Sequence, residues 1–341
     1  MSNTPALVHD IVLPNGRMTA NLAFGCAGLL RLLTMRSREA LLRTALDEGV
    51  THFDTARMYG DGLAEGIVGR ALGKNREQIT FATKFGYPFV PAAGTGLSVR
   101  SLARFAFNAF PQIKSTMRRI ASLRHKHAPE VLVPMPGGDR DFSPEEMQRS
   151  LGQSLEELQT DGVDLFFLHA PGLRHAIQER LASMLQDEIG DGRIGAFGIS
   201  TGIADAAGLL STQPEICGQA IQCEPSVLRD EPSAAIMAHP FVGFFRVIEE
   251  NISPLQHYLK AHPALLKEWS ARLRVNLATR ENAGIALLGM ALASNPCGTV
   301  VFFTSDAARL KRVVRKLRSD TLIPETLLEF RQFLIHNFHA C

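Results

Sequence analysis

The chain has 341 residues, 45% of them hydrophobic and 21% charged, with a formal net charge of +2. Such a composition fits an ordinary globular protein with a sizeable core, and the near-neutral balance speaks against nucleic acid as a main partner. No run approaches the roughly eighteen apolar residues of a membrane span, and the segment from Met1 to Asp10 lacks the basic and apolar regions of a secretory signal.

Near the start, Ile11-Val12-Leu13-Pro14-Asn15-Gly16-Arg17-Met18 carries an Asn-Gly hairpin signal and is expected to plug the floor of a barrel built from the later strands. Short apolar runs then alternate with amphipathic stretches. Strands are expected at residues 22–26, 51–54, 79–83, 163–168, 194–199, 219–223, 242–248 and 298–303. Helical patterns fall at 37–48, 63–72, 144–159, 175–188 and 282–293, and a last one at 324–336 has proline in its first turn. Eight strands alternating with helices predict parallel βα units, and eight strands close a (β/α)8 TIM barrel, one domain over residues 1–341. Strands covered on both faces read as continuous apolar runs, as Leu165-Phe166-Phe167-Leu168 does.

Residues 87–142 break the rhythm. No acidic residue occurs between Glu77 and Glu130, and Leu102, Phe105, Ala106, Ala109, Phe110 and Ile113 recur at helical spacing. Pro111 divides this stretch from a second one carrying Lys114, Arg118, Arg119 and Arg124, before a loop marked by Pro129, Pro134, Pro136 and Gly137-Gly138. The expectation is a basic, partly helical insert after the third barrel strand that packs on its own barrel. Contact with a membrane surface is the alternative. Five cysteines (Cys26, Cys217, Cys223, Cys297, Cys341) show no metal spacing, and an odd number in a long chain fits a reducing, cytoplasmic setting.

The chemistry gathers at strand ends. His52-Phe53-Asp54-Thr55-Ala56-Arg57-Met58-Tyr59-Gly60 places a carboxylate and a phenol at the exit of the second barrel strand, and Thr83-Lys84 and Leu168-His169 end two later ones. Reducing a carbonyl with a hydride develops negative charge on oxygen, which a proton donor must meet. Tyrosine, with an ordinary pKa of about 10, needs a nearby ammonium to give up its proton, and a buried ammonium needs a carboxylate. Tyr59, Lys84 and Asp54 form such a trio if the strand ends converge, and His169 can orient the carbonyl oxygen. Two other patterns carry less. Gly60-Asp61-Gly62-Leu63-Ala64-Glu65-Gly66 has its last glycine one residue too late for a dinucleotide fingerprint, and His125-Lys126-His127 lacks the partners of a metal site, so no metal is expected.

Together these segments resemble the aldo/keto reductase family. The resemblance rests on Phe53-Asp54-Thr55-Ala56 with Tyr59-Gly60, Glu65, Gly69, Ala82-Thr83-Lys84, Ser150-Leu151-Gly152-Gln153-Ser154-Leu155, Asp161-Gly162-Val163-Asp164-Leu165, His169, Gly192-Arg193-Ile194 and Gly198-Ile199-Ser200. It leaves out the insert and the region around residues 226–280. It implies a (β/α)8 barrel binding NADP(H), with NAD(H) as an alternative, and Asp54, Tyr59, Lys84 and His169 as the catalytic tetrad. It also implies that Gly25 and Cys26 border the cofactor, and that Ser200, Thr201 and Gln222 hold the nicotinamide carboxamide. Thr304, Ser305 and Arg309 would take the adenosine 2′-phosphate, while Lys311, Arg312, Arg315, Lys316 and Arg318 form a solvated helix face. Thr201 stands where the family often has Asn, Pro225 where it often has a stacking tyrosine, and Phe302-Phe303 where Pro-Gly is common.

The implied function is an NADPH-dependent oxidoreductase interconverting an aldehyde or ketone and its alcohol, its partner a small molecule. An aldose dehydrogenase of the same fold, or an NADP(H)-binding sensor or scaffold without turnover, are the alternatives. Phe85, Tyr87 and Phe89 are candidate pocket residues.

Overall fold

The computed structural model describes residues 6–87, 140–175, 177–228 and 233–338. The expected helices of the insert, Phe89, His125 and His127 lie outside the described residues.

Strands β1 (Asp10–Val12) and β2 (Met18–Ala20) form the expected antiparallel hairpin, with Gly16 at φ +81 in its turn. The next eight strands are β3 (Leu22–Gly25), β4 (His52–Asp54), β5 (Thr80–Phe85), β6 (Val163–His169), β7 (Ile194–Gly202), β8 (Ala220–Glu224), β9 (Val242–Phe244) and β10 (Thr299–Phe302). They pair in parallel in the order β10-β3-β4-β5-β6-β7-β8-β9 and close on themselves, with helices packed outside. The protein is a (β/α)8 barrel.

Each expected strand is present, with shifted ends. The segment expected to be extended over residues 242–248 stops at Phe244. Arg246 takes a left-handed conformation (φ 56), and the helix Val247–Ala261 starts directly behind it with Glu249 and Glu250 in its first turn, where carboxylates suit the helix dipole. The helix expected from residue 175 begins later, as Arg180–Gly190, because His175 Nδ1 accepts from the Gly172 N–H (2.8 Å) and folds those residues into a turn. The helix Pro263–Arg272, with proline at its first turn, occupies part of the stretch that the resemblance left out.

Alternation sorts the strand residues between two layers. Outward, Phe24, Phe53, Phe81, Phe166, Ile199, Ile221 and Phe244 join the helices in one large apolar cluster. Inward, Ala82, Leu165, Phe167, Ala196 and Ala220 form a second cluster. Ile11 and Leu13 of the hairpin complete that inner cluster together with Phe241, so the hairpin closes the barrel floor as expected. A polar clamp fixes it there. The fully buried carboxylate of Asp164 accepts from Asn15 Nδ2 (3.1 Å), Arg17 (3.1 Å) and the Phe81 N–H (2.7 Å), and pairs with Arg76 at 2.9 Å. Among the described residues, no helix is long and apolar enough to cross a membrane.

His52 lies fully buried on β4, two residues before Asp54. Its Nδ1 meets the Thr80 hydroxyl at 2.7 Å, and its Nε2 has no hydrogen-bond partner. Burial pulls its pKa from 6.5 to about 4, against the raising pull of Asp54 and Asp164, so the folded imidazole is neutral at pH 7. The unfolded chain binds this proton first, so stability is complete above pH 6.5 and is lost as pH falls towards 4. The linkage amounts to about 2 kcal/mol between pH 7.5 and 5. Urea midpoints at these two pH values should show that loss in the native protein and a clearly smaller one in His52→Phe. Equal losses in both proteins would remove His52 as their source.

Candidate active site

The inner layer turns polar one step above its apolar residues. Lys84 follows Ala82 by two positions, His169 follows Phe167, and Gln222 follows Ala220, while Ser200 lies two further along β7 than Gly198. Because successive inward positions are two apart, these side chains share the C-terminal end of the barrel, where active sites of this fold are built. Register adds the rest: Asp54 lies opposite Ala82, His169 opposite Ser200, and Ser200 opposite Gln222.

The side chains meet. Lys84 Nζ donates to Asp54 Oδ1 at 2.6 Å and to the Thr55 carbonyl at 3.0 Å. Asp54 Oδ2 accepts from Gln222 Nε2 at 2.7 Å, and Gln222 Oε1 accepts from the Ser200 hydroxyl at 2.7 Å. Tyr59 reaches over from the turn after β4, its ring centroid 5.2 Å from Lys84 Nζ and 5.8 Å, edge-on, from the His169 ring. Asp54, Lys84 and His169 are buried, whereas Tyr59 is half-buried. All four residues of the expected tetrad are thus brought together.

The environment sets their protons. Burial pushes the Tyr59 phenol above its ordinary value, and Lys84 offsets only part of that. Burial alone would lower the Lys84 ammonium, but Asp54 and Tyr59 outweigh it and hold the group above its usual value. Burial, reinforced by Lys84 and Arg140, drops His169 well below the ordinary imidazole value, so the ring is neutral at pH 7. A protonated phenol, a charged ammonium and a neutral imidazole therefore surround one small space.

A buried set of partners, to which the sequence alone assigned no role, positions the Tyr59 turn. Glu65 is fully buried and accepts from Arg57 at 2.6 Å and from the Thr83 hydroxyl at 2.5 Å. Arg57 also donates to Gln153 at 3.3 Å, and its backbone N–H donates to the Lys84 carbonyl at 3.4 Å. Glu65 thus ties the turn between Asp54 and Tyr59 to the strand that carries Lys84. Its place in the motif was visible in the sequence, its role was not, because an acidic residue in a helix's first turn ordinarily reads as dipole compensation.

Of the expected cofactor residues, Ser200 and Gln222 adjoin Asp54, whereas the Thr201 hydroxyl donates to the Pro171 carbonyl at 2.7 Å. Gly25 ends β3, and Cys26 is fully buried with its N–H on the Asp54 carbonyl (2.8 Å) and its thiol pushed well up by burial. Phe302 and Phe303 pack on Phe24, with ring centroids at 6.3 and 5.8 Å, which accounts for aromatic residues in place of Pro-Gly. Beyond them, Asp306 caps the helix Ala307–Arg318 by accepting from the backbone N–H groups of Ala308 (2.8 Å) and Arg309 (3.1 Å), and the Thr304 hydroxyl accepts from the Asp306 N–H (3.2 Å). The Arg309 guanidinium is 38% exposed and only 3.8 Å from Glu281, which Arg312 already holds with two bonds of 2.8 and 2.9 Å. Arg315 pairs likewise with Glu48, as a solvated helix face implies.

A nicotinamide dinucleotide fits these residues at both ends. The Ser200–Gln222 pair has further donors and acceptors for a carboxamide, and Arg309, Thr304 and Ser305 suit a phosphate. One group opposes a phosphate there, the Asp306 carboxylate on the helix amides. Removing the buried Glu65 carboxylate leaves Arg57 without that counter-charge and should cost about 3–5 kcal/mol of stability. Urea denaturation of Glu65→Ala measures it; a change within about 0.5 kcal/mol, the size of an ordinary surface effect, would sink the idea.

Known proteins resemble this chain in sequence and in fold. Residues 21–240 match the model of the Aldo/keto reductase family. A D-threo-aldose 1-dehydrogenase from Pseudomonas sp is 29% identical over 195 residues, 54% of this chain and 51% of that protein. The aldo-keto reductase yakc [NADP(+)] of Schizosaccharomyces pombe is 24% identical over 235 residues, 67% of this chain and 54% of that one. The chain thus spans about half the length of these curated relatives. Among solved structures, an aldo-keto reductase from Bacillus halodurans in its holo form superposes with a TM-score of 0.66 at 19% identity, covering 96% of each chain. An aldo-keto reductase from Klebsiella pneumoniae in complex with NADPH gives a TM-score of 0.66 at 18% identity, again over 96% of both. The chain belongs to the aldo/keto reductase family.

Proposed function

We propose that this protein is an NADPH-dependent oxidoreductase that interconverts an aldehyde or ketone and its alcohol. One observation carries the reading: a buried ammonium, Lys84, sits between the carboxylate of Asp54 and the phenol of Tyr59, with the neutral ring of His169 edge-on to that phenol. Support also comes from the relative named for NADP(+), and from the neighbour solved with NADPH.

The reduced nicotinamide, when bound, is the hydride source. Tyr59 donates its proton to the carbonyl oxygen as negative charge develops there. Lys84 stabilises the phenolate that remains, and Asp54 keeps Lys84 charged and in place. His169, being neutral, donates one N–H to the same oxygen and orients the carbonyl carbon. Ser200 and Gln222 would hold the carboxamide and Arg309, Thr304 and Ser305 the 2′-phosphate, with Gly25 beside them, whereas the Thr201 hydroxyl and the Cys26 thiol are already turned to the Pro171 and Phe24 carbonyls.

Burial holds the Tyr59 phenol above its ordinary value, so the proton that reduction requires is in place across neutral pH. We read residues 1–341 as one barrel unit with 87–142 as a loop elaboration between β5 and the helix Pro144–Leu158. Free cysteines, buried at positions 26, 217 and 223 and exposed at 297, support a cytoplasmic location.

Substituting Tyr59→Phe should lower kcat for NADPH-dependent aldehyde reduction by about 10²–10⁴-fold while leaving NADPH affinity in place. In the native protein, the alkaline decline of the reduction rate should begin above the ordinary phenol value of 10.0. If no aldehyde supports Tyr59-dependent NADPH oxidation, the enzyme reading fails and a cofactor sensor replaces it.

Cofactor choice has its own test. Replacing the exposed guanidinium in Arg309→Ala should raise the NADPH Kd about tenfold with little effect on NADH, as the loss of one charge-assisted contact implies. Neutralising the opposing carboxylate in Asp306→Asn should tighten NADPH. Equal effects on both cofactors would remove this loop from 2′-phosphate recognition.

A further inference from the structure

Beside His169 lies a charged group that the proposed reaction does not use. Gly86 adopts φ +111, and a Cβ there would meet the Phe142 ring at 2.2 Å, so glycine alone allows the turn into Tyr87. That turn carries Tyr87 against the site, buried, with its ring edge-on to His169 at 4.8 Å. The Gly86 carbonyl accepts from the Asp141 N–H at 2.8 Å, which brings Arg140 alongside. The Arg140 guanidinium stacks on the Tyr87 ring, 4.4 Å from its centroid, and donates to its hydroxyl.

Among the described residues, no carboxylate pairs with this cation. The adjacent Asp141 turns its Oδ1 to the Ser143 N–H at 2.9 Å instead, at the start of the helix Pro144–Leu158. The Arg140 Nε atom is buried without a hydrogen-bond partner. Arg174 is exposed nearby, and its charge acts on the same Tyr87 phenol. A half-buried guanidinium with an unmet N–H is unfavourable on its own and becomes favourable when a ligand brings the opposite charge. Its planar fork suits carboxylate or phosphate oxygens, and Tyr87 holds it one aromatic ring away from the imidazole that would orient the reacting carbonyl.

We propose that Arg140, seated on Tyr87 and reinforced by Arg174, is an anion subsite, and that the substrate is a carbonyl compound bearing a carboxylate or phosphate a few bonds from its reacting carbon. This rests on the oxidoreductase reading and narrows it. Arg140 selects the substrate, and Tyr87 positions Arg140. Lysine cannot replace the arginine fully, because it lacks both the flat face for the ring and the fork for two oxygens.

The test is steady-state turnover of butanal against 4-oxobutanoate, and of benzaldehyde against 4-carboxybenzaldehyde and 4-formylphenyl phosphate, with NADPH. The native protein should favour the anionic member of a pair in kcat/KM, and whether carboxylate or phosphate is preferred identifies the natural group. In Arg140→Gln the ratio of anionic to neutral kcat/KM should fall by about 10- to 100-fold, mainly through KM, as the loss of a charged hydrogen bond implies. Arg140→Lys should recover part of it. No anionic preference in the native protein, or a ratio unmoved by Arg140→Gln, overturns the subsite. If no aldehyde is reduced in a Tyr59-dependent manner, the enzyme reading has failed separately. Calorimetric titration with benzoate and phenyl phosphate then decides the subsite: binding that Arg140→Gln abolishes upholds it, and absent or unaltered binding overturns it.

Discussion

Everything at the mouth of this barrel depends on the ion pair between Lys84 and Asp54. An ammonium in the barrel interior is far from water, and only a carboxylate at 2.6 Å with good companions makes it tolerable. Those companions form a short chain: the Thr55 carbonyl on Lys84, Gln222 on the second oxygen of Asp54, and Ser200 on Gln222. Such a pair contributes little net stability compared with an apolar filling of the same volume. What it provides is a fixed positive charge beneath a phenol, and the rest of the polar layer satisfies the atoms that this charge brings with it.

The barrel separates that charge from a second buried one at its base. Between them lies the cluster of Ala82, Leu165, Phe167, Ala196 and Ala220, closed below by Ile11 and Leu13. Asp164 holds the hairpin through Arg17 and Asn15, and stays apart from the reacting end. His52, on the same strand as Asp54, is kept neutral by burial and so adds no further charge to the interior. One end of the barrel secures its closure, the other concentrates its polarity, and the small residues between them let a compact hairpin do the filling.

How much of this was legible depends on where each residue sits. Strands such as Leu165–Leu168 announce themselves because burial on both faces demands an unbroken apolar run, and the tetrad was legible because Asp54, Lys84 and His169 stand at strand ends, with Tyr59 just past the first. The end of β9 was not, since Arg246 gives no composition signal for its left-handed turn. Glu65 was legible only as part of the motif, and its contact with Thr83 joins positions 18 apart that only the barrel brings together. Thr304, Ser305 and Arg309 read in sequence as phosphate ligands, while Asp306 among them is a cap already seated on the helix amides. Arg140 comes after a Gly-Gly loop with no periodicity at all, and the contacts of Gly86 with Asp141 and of Tyr87 with its guanidinium determine where it lands.

Gln222 has a consequence for how two equilibria influence each other. Its amide nitrogen holds Asp54 and its carbonyl holds the Ser200 hydroxyl, so a single planar group spans the proton-handling pair and the residue next to where a carboxamide would lie. A ligand that draws on Ser200 pulls on the same amide that steadies Asp54, and through Asp54 on the proton affinity of Lys84 and Tyr59. Thermodynamic reciprocity then requires the converse: whatever changes the protonation of that pair must change the ligand's affinity by the same factor. Loading of the barrel and readiness of its acid are, through one side-chain amide, two readings of one free energy.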